Sequence, residues 1–134
     1  MNEVEFKKRT REVALRIIKL VDALPRSKSG DVIGRQILRS GTSIGANYRA
    51  ACRGISTPDV IAKLGDVEEE TDETLYWLEL LWAGGIMPLR RLQSLIKEME
   101  EILKMTVASI KTLKSKQRKS RISNPKSKIQ NLKS

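Results

Sequence analysis

Apolar residues recur at helical spacing in four segments of the chain, and turn-forming residues separate these segments. The spacing alternates between three and four residues, which is typical of one apolar face on an α-helix. Pro25 ends the first segment, because proline cannot continue a helix, and RSKSG at 26–30 is the first predicted loop. The first helix, predicted at about 3–24, carries its stripe on Phe6, Thr10, Val13, Ile17, Leu20 and Leu24.

The second segment, predicted as a helix at about 31–53, has two adjacent stripes of apolar or small residues. We therefore expect it to be buried over much of its circumference. One stripe contains Ile37 and Ile44, and the other contains Gly41 and Gly45. Each interior glycine costs a helix about 1 kcal/mol relative to alanine. We predict that these glycines let another helix backbone approach closely.

The third and fourth helices are predicted at about 57–83 and 88–114. Thr57, Pro58 and Asp59 suit a helix start, and Gly84-Gly85 suits its end. The stripe of the third helix places Glu68 and Trp82 on the inward face. Because all connections are short and strand patterns are scarce, the prediction is an all-α, antiparallel up-down-up-down four-helix bundle.

Composition argues against catalysis. The chain has no histidine, which removes the commonest general base and the commonest metal ligand. No phosphate-binding glycine loop occurs, and the single cysteine, Cys52, fits a small core residue. We expect a protein that is not an enzyme, with no cofactor, no metal site and no small-molecule substrate.

The net charge of +10 is unevenly placed. Residues 1–114 carry 19 basic and 16 acidic residues, whereas residues 115–134 carry seven basic residues and no acid. This last segment is rich in Lys, Arg, Ser and Asn and contains Pro125, so we predict a disordered basic tail at 115–134. No apolar run is long enough for a membrane span or a signal peptide, which predicts a soluble cytoplasmic protein.

Polar residues interrupt the inward stripes of the second and third helices. Counting outward from the turn at 54–57 places Ser43 level with Glu68 and Arg39 level with Asp72. Buried charges need partners, so the pattern predicts a structural network. Its predicted members are Arg39, Ser43, Asn47, Glu68 and Asp72.

Asp66–Glu79 carries seven acidic residues and no basic one. Such a run is typical of a solvated helix face, and it could also meet basic residues of a second subunit. Tyr76 and Trp77 lie off the inward stripe beside Leu80. Aromatic residues in such positions favour an oligomer interface, with ordinary partial burial as the alternative.

The blocks LRSGTSIGANYRAACRG (38–54) and DVIAKLGDVEEETDETLYWLELL (59–81) resemble a bacterial family of four-helix bundles. That family was first noticed as open reading frames in intervening sequences of large-subunit ribosomal RNA genes. Its first motif matches Arg39, Ser43, Ile44, Ala46 and Asn47, and its second motif matches Asp72 through Leu81. The chain departs from the pattern at Ala50, where relatives often have Glu. The resemblance covers roughly residues 4–114.

The resemblance implies an up-down bundle and assembly into a ring-like homo-oligomer, with a pentamer favoured. Distant relatives are the accessory proteins of diversity-generating retroelements, which resemble a basic pentamer that engages reverse transcriptase and RNA. For the branch most similar to this chain, the resemblance implies no established biochemical role.

Two functions remain open at this point. The first is an RNA-associated accessory protein that contacts phosphates, and the second is a structural or protein–protein interaction module without a nucleic-acid role. The basic composition and the family's genomic setting favour the first. Its candidate phosphate contacts are Lys7, Lys8, Arg9, Arg11, Arg90, Arg91, Lys116, Arg118, Lys119 and Arg121.

Overall fold

Four α-helices make up nearly all of the residues that the computed structural model describes, 2–123. They are α1 (Glu3–Asp22), α2 (Lys28–Cys52), α3 (Thr57–Ala83) and α4 (Gln93–Ser123). A short 3₁₀ turn, Leu89–Arg91, precedes α4, and no strand occurs in this range. Helix α2 packs against both α1 and α3, and α3 packs against α4, while α1 and α4 form the sparsest of the four neighbouring helix pairs. The predicted all-α four-helix bundle is confirmed.

Side-chain caps set the starts of the first three helices. Asn2, Ser27 and Ser56 each accept a hydrogen bond from the backbone N–H three residues ahead. Such caps satisfy N–H groups that have no partner inside the helix. Because Ser27 acts as the cap, α2 begins at Lys28, three residues before the predicted start.

The limits of the fourth helix differ from the prediction at both ends. Pro88 and the 3₁₀ turn delay its start to Gln93, and the helix continues to Ser123 rather than ending at 114. Residues 115–123 are therefore helical, so the predicted disordered tail is wrong for them. Lys, Arg and Gln are good helix formers, and no Gly or Pro interrupts this stretch. Residues 124–134 of the predicted tail lie outside the described residues.

The core lies between the inward stripes of all four helices. Its largest fully buried side chains include Phe6, Ile17, Ile44, Leu81 and Met99. Phe6 and Tyr48 meet edge to face with ring centroids 4.4 Å apart, which ties the start of α1 to the end of α2. No helix within 2–123 is both long enough and apolar enough to cross a membrane.

The stripe of α3 is turned by about one residue from the predicted one. Its fully or nearly buried positions are Leu64, Val67, Thr71, Thr74, Leu78 and Leu81. Glu68 is consequently only half-buried, and Trp82 is 40% exposed instead of inward. The predicted stripe and the observed one share the same three-and-four spacing, so periodicity alone does not distinguish them.

Helices α1 and α2 approach closely where α2 carries glycine. A Cβ atom on Gly41 would overlap the side chain of Ile17, which is fully buried. A Cβ atom on Gly45 would lie 3.3 Å from the hydroxyl oxygen of Thr10. The predicted close approach of another backbone is found at Gly45, where the backbone carbonyl carbon of Thr10 would lie 3.7 Å from the Cβ atom, whereas at Gly41 a side chain, that of Ile17, fills the space.

We expect Gly41→Ala to destabilise the fold by about 1–2 kcal/mol, because overpacking a full core outweighs the gain in helix propensity. Gly65→Ala is the matched control, since Gly65 is also inside a helix but has no atom within 4 Å of the place where a Cβ would lie. That variant should be more stable than wild type by up to about 1 kcal/mol. Urea denaturation measures both, and equal stabilisation by the two changes would contradict the close approach.

Candidate functional site

Arg39 forms a polar cluster with α3, but its partners are not the predicted ones. Its guanidinium pairs with Glu73 and, at 3.4 Å, with Glu70, and it also donates to the side chain of Gln36. Asp72, the predicted partner, is exposed. The one-residue rotation of α3 explains the exchange, because it turns Glu70 and Glu73 toward α2.

The rest of the predicted network does not form. The Ser43 hydroxyl donates to the backbone oxygen of Arg39 in its own helix, at 2.6 Å. Asn47 is half-buried, and within residues 2–123 its side chain makes no hydrogen bond. Glu68 and Asp72 line a surface groove between α3 and α4 instead. Of the five predicted members, only Arg39 bridges α2 and α3.

A different pair of polar residues joins α2 to α3 inside the core. The hydroxyls of Ser40 and Thr74 lie 2.7 Å apart, and both side chains are fully buried. Each hydroxyl also lies within hydrogen-bond distance of a backbone oxygen in its own helix, Gln36 for Ser40 and Glu70 for Thr74. Each hydroxyl has one proton, so when Ser40 donates to Gln36, Thr74 donates either to Ser40 or to Glu70. Sequence reasoning missed this contact, although the spacing of Val67, Thr74 and Leu81 could have indicated that Thr74 faces inward.

The predicted aromatic surface is partly present. Tyr76 is 53% exposed and packs edge to face on Trp77, with ring centroids 5.3 Å apart. Trp77 and Leu80 are half-buried, and the Trp77 indole donates to Glu73 at 3.0 Å. Trp82 joins Tyr76 on the α3–α4 surface. The exposed aromatic pair is therefore Tyr76 and Trp82.

Arg9 is not a free cation. Its guanidinium, about one-fifth exposed, donates to Glu98 at 3.0 Å and to Glu101 at 2.9 Å, which joins α1 to α4. Hydrogen bonds to Glu98 raise the pKa of Arg9 above its usual range, and hydrogen bonds from Arg9 lower the pKa of Glu98. We therefore remove Arg9 from the candidate phosphate contacts and assign it to the bundle.

The other predicted contacts on α1 lie near the end of the bundle where the chain begins. Lys7 pairs with Glu3 at 3.1 Å, while Lys8 and Arg11 are exposed. Arg90 and Arg91 are exposed at the opposite end, in the turn before α4. The structure thus separates two groups of basic residues that the sequence analysis placed together.

A basic cleft, which we define by Arg16, Lys19 and Arg91, lies between α1 and the turn that precedes α4. It is a hollow of about 270 Å³ whose other lining residues are apolar: Leu20, Ala23, Met87 and Leu95. Within 2–123 none of its three cations forms an ion pair, but Arg16 donates to Ser94 at 3.0 Å, and its charge adds to that of Arg9 in lowering the pKa of Glu98. Lys19 and Arg91 have no carboxylate among the other lining residues, which favours an anion in the cleft.

Sequence reasoning missed Arg16 and Lys19. In an up-down bundle the end of the first helix and the start of the fourth lie at the same end. This topology could have placed both residues beside Arg91. The signal is the spacing of Arg16 and Lys19, three residues apart on one face of a helix.

The remaining predicted cations lie on the last turns of α4. All four are exposed: Lys116, Arg118, Lys119 and Arg121. Cys52 lies nearby in a groove of about 630 Å³ that Tyr48, Met105 and Leu113 also line. Burial raises the pKa of the Cys52 thiol, so the thiol is protonated near neutral pH and is a poor nucleophile.

Comparison with known proteins gives a family. Residues 2–108 match the family described as 23S rRNA-intervening sequence protein. The crystal structure of a protein of unknown function from the S23 ribosomal protein family of Bacteroides thetaiotaomicron is similar, with 39% sequence identity and a TM-score of 0.77. The similarity covers 83% of this chain and 99% of that one. No curated protein matches the sequence.

A double-mutant cycle tests the Ser40–Thr74 contact. Ser40→Ala and Thr74→Val should each cost about 1 kcal/mol of unfolding free energy, because each removes one side of a buried hydrogen bond. The double variant should cost less than the sum, since the second change has no interhelical bond left to break. Urea denaturation supplies the four free energies, and strict additivity would show that the two hydroxyls are not coupled.

The lowered pKa of Glu98 predicts an acid-dependent contribution to stability. The contribution is complete above the ordinary pKa of 4.5 and is lost as the pH falls through the lowered pKa of the folded state. Glu98→Gln should therefore cost stability at pH 7, by about 1–2 kcal/mol, and progressively less below about pH 4.5. Glu12→Gln is the control, because Glu12 is exposed on α1 without an ion pair among the described residues. Unfolding measured by circular dichroism between pH 7 and pH 3 would contradict the interpretation if both variants followed the same pH profile.

Proposed function

This chain belongs to the 23S rRNA-intervening sequence protein family, and from that membership we propose that it is a non-enzymatic, self-associating protein that binds RNA through phosphate contacts. The observation that carries the proposal is the basic cleft, where Arg16, Lys19 and Arg91 surround one hollow without a carboxylate among its lining residues. The family's description, which refers to 23S rRNA, makes RNA the polyanion to test first.

The surroundings of the cleft support a backbone contact. Arg26 in the first loop, Lys28 at the start of α2 and Arg90 in the turn before α4 are exposed at the same end of the bundle, so basic residues continue beyond the hollow. A phosphate chain with one charge per nucleotide needs such an extended row of cations. Binding at this surface depends on charge, and salt should weaken it steeply.

Base recognition has no support in the cleft. Its uncharged lining residues are Leu20, Ala23, Met87 and Leu95, none of which is aromatic. Stacking of bases requires aromatic side chains beside the phosphate contacts. Reading of the base sequence requires side chains that contact the base edges. We therefore propose binding that is weakly dependent on sequence.

Charge separation on the protein surface orients the RNA. The seven acidic residues between Asp66 and Glu79 belong to α3, whereas the cleft lies between α1 and the turn before α4. A polyanion is repelled from the acidic helix and drawn to the basic end. This charge arrangement favours RNA that approaches the basic end of the bundle over RNA that covers the whole protein surface.

The absence of histidine from the chain supports a non-enzymatic role. The exposed aromatic pair Tyr76 and Trp82 supports self-association, because such residues are enriched at subunit contacts. Should RNA binding fail, these aromatic residues favour the second candidate, a protein–protein interaction module.

RNA titration tests the cleft. Lys19→Gln/Arg91→Gln should weaken binding of a short fluorescein-labelled single-stranded RNA, measured by fluorescence anisotropy on nuclease-treated protein. The slope of log K against log salt concentration should become less negative by about 1.4, at about 0.7 for each lost phosphate contact.

Arg35→Gln/Arg49→Gln is the matched control for this titration. It removes the same charge from exposed positions on α2, and Arg49 lies in the last turn of its helix as Lys19 does in α1. The control should keep the wild-type slope. Equal changes in both variants would mean that net charge and not the cleft governs binding, and a wild type that binds no RNA at low salt would overturn the RNA role.

A further inference from the structure

Two surface hollows of about 480 and 410 Å³ lie next to each other along α3 and α4. They share Asp72 and together extend from Gly65 to Trp82 along α3. That stretch of helix is about 26 Å long at 1.5 Å per residue. We call the two hollows together the α3–α4 groove.

The floor of the α3–α4 groove is apolar and partly open to solvent. Tyr76 and Trp82 are 53% and 40% exposed. Four aliphatic residues complete the floor: Leu75, Ile96, Leu103 and Val107. Apolar and aromatic surface in a groove is a feature of protein docking sites.

The edges of the groove carry charge of one sign. Five carboxylates line it, Glu68, Glu69, Asp72, Glu79 and Glu100, and no basic residue does. None of these five forms an ion pair inside the described chain, in contrast to Glu70 and Glu73, which hold Arg39. An occupant of this groove must therefore be basic, apolar on one side and elongated.

The chain itself contains a segment with these properties. Residues 114–123 of α4, which we call the basic arm, carry five cations and no acid: Lys114, Lys116, Arg118, Lys119 and Arg121. All five are exposed, and none forms an ion pair with the residues that the structure describes. The arm also presents Ile122, which is 73% exposed. At about 15 Å, the arm fits within the length of the groove.

The arm cannot reach the groove of its own chain. Helix α4 is unbroken from Gln93 to Ser123, and its residues Ile96, Glu100, Leu103 and Val107 form one wall of the groove. The arm continues the same axis beyond that wall and points away from it. Contact between arm and groove therefore requires a second copy of the chain.

We propose that the basic arm of one protomer docks in the α3–α4 groove of the next. The arm's cations lie against the five groove carboxylates, and Ile122 contacts the exposed aromatic side chains. Different surfaces meet in this contact, so it is heterologous and propagates head to tail into a closed ring or an open filament. The arm and the groove would be the interface of the self-association proposed above, on which this inference rests.

Charge reversal on each side tests the docking. Arg118→Glu/Arg121→Glu lowers the net charge of the arm from +5 to +1, and Glu79→Lys/Glu100→Lys changes that of the groove from −5 to −1. Each variant alone should associate at least about tenfold more weakly than wild type, because most of the charge attraction is lost and the substituted positions repel their partners. An equimolar mixture of the two should associate again, since the unchanged arm of the groove variant then meets the unchanged groove of the arm variant.

Sedimentation equilibrium on nuclease-treated, full-length protein at low salt measures these affinities, and circular dichroism confirms that each variant is folded. Lys8→Glu/Arg11→Glu is the control with the same charge change on exposed α1 residues, and it should associate as wild type does. Higher salt should weaken the wild-type association, because the contact is electrostatic and lies at the surface.

Three results would overturn the inference, and they differ in what else they affect. A wild-type chain that stays monomeric removes the proposed self-association together with the docking. Wild-type association that both reversed variants retain removes only the arm and groove as its interface. Two reversed variants that stay dissociated when mixed show that the arm and the groove do not pair with each other.

Discussion

The close approach of α1 and α2 at Gly41 is the constraint on which the rest of the bundle depends. Without a side chain at that position, Ile17 reaches into the space against the α2 backbone and is fully buried. Helix α2 can then be covered on a second side by α3, where Ser40 and Thr74 fix the register through one buried hydrogen bond. A side chain at position 41 would have to displace the side chain of Ile17 from that space. The cost of glycine in a helix is thus offset by the packing that it permits.

The pair α1 and α4 closes the bundle by other means. Of the neighbouring helices these two have the sparsest contact, and polar contacts bridge them: Arg9 with Glu98 and Glu101, and Arg16 with Ser94. Because Arg9 pairs with these two carboxylates between α1 and α4, its guanidinium is not available to a ligand. Arg16 and Lys19 lie about two to three turns further along α1, where the apolar floor of the cleft replaces carboxylates. Lys19 and Arg91 thereby line this hollow without a carboxylate beside them.

The sequence predicted the elements well because they follow from local rules. Helical spacing located all four helices, and the small residues of α2 identified the close packing at Gly41 and Gly45. The prediction from the sequence failed where tertiary contacts decide which face of a helix is buried. A rotation of α3 by one residue leaves the three-and-four spacing intact, yet it replaces Asp72 by Glu70 and Glu73 as the partners of Arg39. Composition likewise indicated disorder after residue 114, but Lys, Arg and Gln also propagate a helix that is already nucleated by the bundle. The basic cleft was not predicted because Arg91 lies more than 70 residues from Arg16 and Lys19 in the chain.

Helix α4 has its acidic residues in its first half and only basic charges in its second half. RNA binding at the basic cleft and docking of the basic arm are thereby proposed for different surfaces. Its acidic residues lie at 98, 100 and 101, and from 102 to 123 it has none. Cations near a helix C-terminus interact favourably with the helix dipole, so the arm is stable as a helix and also complementary to the acidic half of another copy. Head-to-tail docking would use the arm's cations, while Arg16, Lys19 and Arg91 line a different hollow from the one that receives the arm. Each added copy would then contribute one more phosphate-binding cleft without reducing the others. Weak single contacts to one RNA strand would combine into tight binding wherever the spacing of the clefts matches the reach of the strand.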